Sequence, residues 1–219
     1  MTGTRERVLE RIRAAVKAGQ EPHVAAAPHY VAQGSRAHAD VVALLEERLR
    51  EYDAEVTRTT EAELPKAIAQ ALQSAGKRRL VAPPELPEAW KGAEFEWIVD
   101  HGELTNDELE RTDGVVTAAF CAIADSGTIA LHHSGTEGRR VLTLVPDWHL
   151  CVVRGDQVVE TLPEYFARCV PKPKLTTYFS GPSATADIEM TRIKGVHGPR
   201  SLHVILVLGA EDAFPPIAR

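Results

Sequence analysis

The chain has 219 residues, 44% hydrophobic and 26% charged, enough apolar material to bury a sizeable core beneath an ordinary charged surface. Its formal net charge is −6 and its basic residues are scattered, which argues against a nucleic-acid binder. No membrane span is expected, since "VILVLGA" near the C-terminus is far too short to cross a bilayer, and the charged amino-terminal segment lacks the apolar core of a secretion signal.

Residues 1–19 read as a charged amphipathic helix, and the Ala-, Pro- and His-rich stretch after it, to residue 39, as a mobile linker. One α/β domain is expected over residues 40–219. From Asp40, Val41, Leu45, Leu49 and Tyr52 recur at helical spacing opposite a charged face. "AEVTRT" alternates as a strand does. A second helix follows, with Pro65 in its first turn, Leu64, Ile68, Ala71 and Leu72 as its apolar stripe, and Gly76 as its stop. "RRLVAPP" and "FEWIVDHG" read as strands, and "TNDELERT" as a brief helix with Thr105 at the N-cap and Glu108 at capping-box spacing. Helices alternating with strands argue for a mainly parallel sheet flanked by helices.

The second half is richer in short β runs. "VVTAAFCAIAD", "GTIALHHS", "RRVLTLVP", "LCVVR" and "DQVVE" are separated by tight polar turns, which predicts an antiparallel β extension built of hairpins. Arg154-Gly155-Asp156 reads as one such hairpin turn rather than an adhesion motif. "LPEYFARCV" is a helix, and "PKPK" a bend.

Several chemistries lack their signatures. No GxGxxG follows a strand, no phosphate loop ends in Gly-Lys-Ser/Thr, and neither GxSxG nor HExxH is present. Cys121, Cys151 and Cys169 are odd in number and widely spaced, so they form neither a disulfide framework nor an iron–sulfur or zinc ligand run. Free thiols in a reducing cytoplasm are the expectation. No metal site is expected either. His132 and His133 are adjacent and point to opposite faces of a strand, and His197 and His203 are separated by a Gly-Pro turn.

The polar segment "SGPSATADIEMTRIKGVHGPRSLHVILV" carries the leading site candidates. A bend at Gly181-Pro182 places Ser183 or Thr185 to cap a short helix whose first turn holds Asp187 and Glu189, and Gly195 ends it. The run carrying His203 then enters the sheet as a buried strand. Ser180, Ser183, Thr185, His197 and Arg200 cluster at bends, with Gly181 beside them, where backbone N–H groups, a hydroxyl and a guanidinium can hold a carboxylate or phosphate. Ser126, Gly127 and Thr128 form a turn between strands with exposed hydroxyls. Glu137 lies in a Gly-flanked loop, where a glutamate is ordinarily solvated; facing a pocket, it would be the first candidate for base or nucleophile. Asp187 is the other candidate base.

"SGPSATADIE" and "GVHGPRSLHVILV", with "ADSGTIAL" and "LVPDWHLCVV" upstream, resemble the LUD domain of LutC-type lactate utilisation proteins. The resemblance implies a NagB/RpiA/CoA-transferase-like α/β fold and participation in oxidation of L-lactate to pyruvate beside two partner subunits, one of them an iron–sulfur LUD-domain protein and the other a second redox subunit. It also implies that this chain, without tight cysteine runs, is the cofactor-free subunit, with the iron–sulfur cluster in the partner. Matching motif positions are Asp125, Gly127, Thr128, Gly181, Pro182, Ser183, Thr185, Asp187, Glu189, His197, Gly198 and His203; the resemblance brings no catalytic role for any of them. Two other readings remain at this point: a stand-alone CoA-transferase-like or sugar-phosphate-isomerase-like enzyme, and a non-catalytic scaffold or regulatory module.

Overall fold

Short runs of valine, leucine, isoleucine and alanine become strands in the computed structural model, which describes residues 3–18, 31–182, 184–186, 192–195 and 197–209. In chain order the first half holds α1 (Thr4–Ala18), α2 (His38–Glu51), β1 (Glu55–Thr59), α3 (Leu64–Ser74), β2 (Arg79–Ala82), β3 (Glu96–Val99), α4 (Asn106–Glu110) and β4 (Gly114–Ala118). The second half holds β5 (Cys121–Ile123), β6 (Thr128–Leu131), β7 (Trp148–Arg154), β8 (Val158–Val159), α5 (Leu162–Arg168), β9 (Thr177–Phe179), β10 (Ala184–Ala186), β11 (Arg192–Lys194) and β12 (Ser201–Val207). The chain divides into two units, residues 1–30, which carry α1, and residues 31–219, which carry everything else.

Six strands form a wholly parallel sheet in the order β1-β12-β7-β4-β2-β3. A second sheet has the order β8-β5-β6-β9, with β6 antiparallel to both neighbours and β5 parallel to β8. Alternation along each central strand separates two cores. Val56, Cys151, Val153, Leu202, Val204 and Leu206 face one side and pack with α2 and with Ala122, Ile129 and Leu131 of the second sheet. Leu150, Val152, Ile205 and Val207 face the other side, where the predicted stripe of α3 covers them together with Trp90. The outer face of the second sheet is closed by Tyr165 and Cys169, from α5 and its C-cap.

Local chemistry explains the ends of these elements. The capping box of α4 is present, with the Glu108 N–H donating to Thr105 Oγ1 at 3.3 Å and the Thr105 N–H to Glu108 Oε2 at 2.8 Å. Gly76 ends α3 at φ 65°. The described end of the expected linker is fastened. The Arg36 N–H donates to Glu160 at 2.9 Å, the Arg36 guanidinium pairs with the same carboxylate at 2.6 Å, and the Gly34 N–H reaches Glu164 at 3.1 Å. Residues 19–30 lie outside the described residues.

Four expectations are corrected. "VVTAAFCAIAD" is two strands, because the Ala119 N–H still bonds Val152 while the Phe120 N–H turns to Ala130 of the second sheet. "RRVLTLVP" is no strand. Its residues Arg140–Thr143 form a 3-10 turn, and Leu142 buries against Val81, Leu109 and Val115, a spacing of apolar residues closer to helical than alternating. Arg154-Gly155-Asp156 is not a hairpin turn. It opens a 3-10 turn that carries the chain from the parallel sheet to β8, and Gln157 holds it by donating to the Ala119 carbonyl at 2.7 Å. In the expected acidic helix, residues 184–186 are instead β10, paired antiparallel with β11. Ser183, Asp187 and Glu189 lie outside the described residues.

Glu46 ties α2 to β1. Only 4% exposed, its carboxylate meets Arg50 Nη2 at 2.7 Å and Arg58 Nε at 2.5 Å. Glu46→Ala removes the carboxylate that both guanidinium groups share. Because Arg50 is largely solvated, the expected loss is about 1–3 kcal/mol in urea unfolding, short of that for a fully buried pair. A loss below about 0.5 kcal/mol would show that the network does not fasten the helix.

Candidate functional site

A cleft of about 550 Å³ opens between the two sheets at the amino-terminal ends of β7 and β12. The parallel sheet contributes His149 and Leu202, and the second sheet contributes Thr177, Tyr178 and Phe179 of β9. Arg140, Thr143 and Leu144 come from the 3-10 turn before β7. Ser180, Gly181 and Pro182 form one rim, His197, Gly198 and Pro199 another, and Tyr52 and Asp53 close the mouth where α2 turns into β1. The wall therefore mixes prolines, glycines and apolar side chains with a few convergent polar groups, the usual make-up of a small-molecule site.

His149 sits where the apolar core between the sheets ends. Its ring is 5.4 Å from that of Phe179, and its Nε2 is 2.8 Å from Thr117 Oγ1. Burial drives its pKa down to about 3, so the imidazole is neutral at physiological pH. Arg140 is exposed at the cleft, and no carboxylate of a described residue pairs with it.

The two hydroxyl motifs of the sequence meet here. Ser126 Oγ donates to Thr128 Oγ1 at 2.8 Å, and Thr128 Oγ1 lies 2.8 Å from Ser180 Oγ. Thr128 Oγ1 thus ties the turn at 126–128 to the Ser180 rim of the cleft. Gly181 packs this rim against the end of α2. Its φ is 128°, and a Cβ there would lie 2.7 Å from the Tyr52 carbonyl oxygen. Gly127 likewise has φ 62° and approaches Arg48 too closely for a side chain.

His133 fixes the wall behind β9. Its Nδ1 lies 3.0 Å from the Gly138 carbonyl and must donate to it, so Nε2 accepts from Thr177 Oγ1 at 2.7 Å. Burial lowers its pKa and favours this neutral form. His132, also lowered by burial and next to His133, stacks on Phe120 at 3.6 Å and bonds the Tyr165 hydroxyl at 2.9 Å.

The other sequence candidates are placed differently. Glu137 is not solvated. It is 3% exposed, and its carboxylate accepts from the N–H groups of His132 and His133 and from Ser134 Oγ, staples its own loop and does not line the cleft. Burial raises its pKa, offset in part by those donors. Arg200 is exposed and lies 3.5 Å from Asp147, outside the cleft lining. Thr185 lies in β10 opposite Ile193. His203 points to the opposite face of β12 from Leu202, bonding Thr57 Oγ1 through Nε2 at 2.9 Å, so it cannot converge with His197 in the cleft. Among the described residues no group of three or more His, Cys, Asp or Glu is arranged to hold a metal ion.

Sequence reasoning missed His149, Arg140, Tyr52, Asp53 and the β9 side chains. His149 had a signal, a polar residue on the same strand face as Cys151 and Val153. The others come together only by tertiary folding.

A neutral buried histidine makes stability depend on pH. The unfolded chain takes a proton at His149 near pH 6.5 and the folded chain only near 3, so this contribution is complete above about 6.5 and is lost as pH falls through that window. His149→Gln should therefore flatten the acid limb of urea-unfolding stability by up to about 1.4 kcal/mol per pH unit between those values. An unchanged slope would mean that His149 protonates freely within the fold.

The comparisons with known proteins converge. The LUD domain family model matches residues 23–207, a span containing every cleft residue. Lactate utilization protein C of Deinococcus radiodurans is 42% identical over 193 residues, covering 87% of this chain and 89% of that protein. The Bacillus subtilis protein of the same name is 34% identical over 120 residues, 52% of this chain and 50% of its own. Among solved structures, a DUF162 family protein from Deinococcus radiodurans at 1.70 Å superimposes with a TM-score of 0.68 at 37% identity, covering 80% of this chain and 100% of that one. The family model, matched over most of the chain, and the 42% identical relative show that the chain belongs to the LUD domain family.

Proposed function

We propose that this chain acts in lactate utilisation as the cofactor-free subunit of a system that oxidises L-lactate to pyruvate, and that the cleft between its sheets binds the small carboxylate. The observation that carries the reading is the pairing of Arg140, without a carboxylate partner among the described residues, with the Ser180 hydroxyl in a cleft of about 550 Å³. A guanidinium is a donor suited to a carboxylate, and a hydroxyl on the rim can serve as donor or acceptor beside it. The neutral His149 imidazole supplies a hydrogen-bonding group without further charge. The names of the relatives support the lactate context.

Oxidising lactate removes a hydride equivalent from the α-carbon and a proton from the hydroxyl, and the electrons need an acceptor. In this reading the two electrons leave through redox groups of the two partner subunits, one of them the iron–sulfur LUD-domain subunit, and not through this chain. This chain binds and orients the carboxylate end. Glu137, the first candidate nucleophile for a stand-alone transferase or isomerase, is occupied by its own loop.

Two measurements test the proposal. L-lactate-dependent dye reduction should be absent from the purified chain and present in tagged protein isolated gently from its own cells, accompanied by iron. Activity in neither preparation would contradict the lactate assignment. Calorimetric titration with L-lactate and pyruvate should show saturable binding, weakened roughly 10- to 100-fold in Arg140→Ala, as expected for loss of a charge-assisted hydrogen bond, with the melting temperature nearly unchanged. Equal affinity in the variant would remove the cleft from the account.

A further inference from the structure

The outer side of α5 and the segment after it form an apolar surface with no covering element among the described residues. Leu162 and Phe166 stand about one turn apart on α5, 47% and 56% exposed, and Val170 at 83% and Leu175 at 43% follow. Single exposed apolar side chains are ordinary, but four within residues 162–175 make a patch of the kind that marks a protein contact.

Its rim is cationic. Arg168, Lys172 and Lys174 are exposed, and no carboxylate of a described residue pairs with them; Arg168 donates instead to the Asp156 backbone carbonyl at 2.7 Å. Glu164, the one acidic side chain in the stretch, is occupied by the N–H groups of Thr161 and Gly34. A basic-rimmed apolar patch on a chain of net charge −6 is a local reversal of sign that complements an acidic surface.

The patch also connects to the cleft. The Phe166 ring lies 5.2 Å from that of Tyr165, and the Tyr165 ring lies 5.6 Å from that of Tyr178. Tyr178 lines the cleft and donates to the buried Tyr165 hydroxyl at 3.0 Å. Phe166 is thus two aromatic contacts from β9, the strand that borders the cleft.

We propose that the surface centred on Phe166 is the docking site for an acidic, apolar-centred face of a partner protein. Resting on the subunit reading above, that partner is the iron–sulfur LUD-domain subunit. Phe166 is the anchor, and the three cations steer the encounter and set its salt dependence.

The test is titration of the purified iron–sulfur subunit from the same organism into the wild-type chain, Phe166→Asp, the double change Lys172→Glu with Lys174→Glu, and Lys66→Glu on α3 as a control. Phe166→Asp should weaken binding at least about tenfold, as expected for a buried aromatic anchor. The double charge reversal should weaken it and flatten its salt dependence, and the control should bind as wild type. Urea unfolding of Phe166→Asp, measured in parallel, reports on its folding. Wild-type affinity in both patch variants would overturn the surface and leave the subunit reading standing. No binding by the wild type would overturn the subunit reading, and the surface with it. A wild-type chain that self-associates and becomes monomeric in Phe166→Asp would assign the patch to a second copy instead.

Discussion

One apolar core serves both sheets, and the place where it stops makes the cleft. Val56, Val204, Cys151 and Val153 from the parallel sheet meet Ala122, Ile129 and Leu131 from the second, all but Val56 fully removed from water. Each fully buried aliphatic side chain contributes about 1.5–3 kcal/mol, so this shared layer fixes the separation of the sheets. At its amino-terminal edge the apolar sequence gives way to His149, flanked by Phe179 of β9. The cleft lies beyond that pair. Its position is unusual for a parallel sheet, whose ligands generally sit at the carboxyl ends of the strands. Here the second sheet provides the opposite wall, which a simple doubly wound fold lacks.

The polar residues divide by whether their hydrogen-bonding capacity is already used. Asp100 is 2% exposed and accepts from Arg139 at 2.6 and 3.0 Å and from the N–H groups of Gly102 and Leu104. Burial alone would raise its pKa, but these donors hold the carboxyl below its ordinary range. Glu137 and Glu46 are saturated in the same way. Such groups make their stabilising interactions in the folded protein alone and leave nothing for a ligand. Arg140 differs, since it stands exposed at the cleft with no carboxylate of a described residue paired to it. That difference, rather than residue type, separates the groups that hold the fold from those that can bind a substrate.

Much of the fold was legible because it is local or periodic. The stripe of α3, the Thr105–Glu108 capping box and the turn at Gly127 are set by neighbours in sequence, and each appears where its pattern placed it. What failed depended on partners distant in sequence. The run at 114–123 breaks because Ala119 and Phe120 bond to different sheets, and the segment at 140–143 coils because Leu142 has a pocket to fill. The site shows the same division. Clustering at bends pointed to Gly181 and His197, and the hydroxyl turn at 126–128 proved to be one bond away from the cleft. Glu137 was read from its glycine neighbours as solvated, although the tight loop those glycines permit is what buries it. Arg140, Tyr52 and Tyr178 carry no local signature and meet only through the packing of β9 over β7.

The central claim is that the space between the sheets at His149 and Ser180 is a carboxylate site. The most direct measurement is a ring-nitrogen and backbone-amide NMR titration of the labelled chain with L-lactate. The account predicts saturable shifts at His149, Ser180 and Gly181, with the His149 ring remaining neutral throughout. Saturable shifts confined to residues away from the cleft, or none at concentrations where catalysis proceeds, would contradict it.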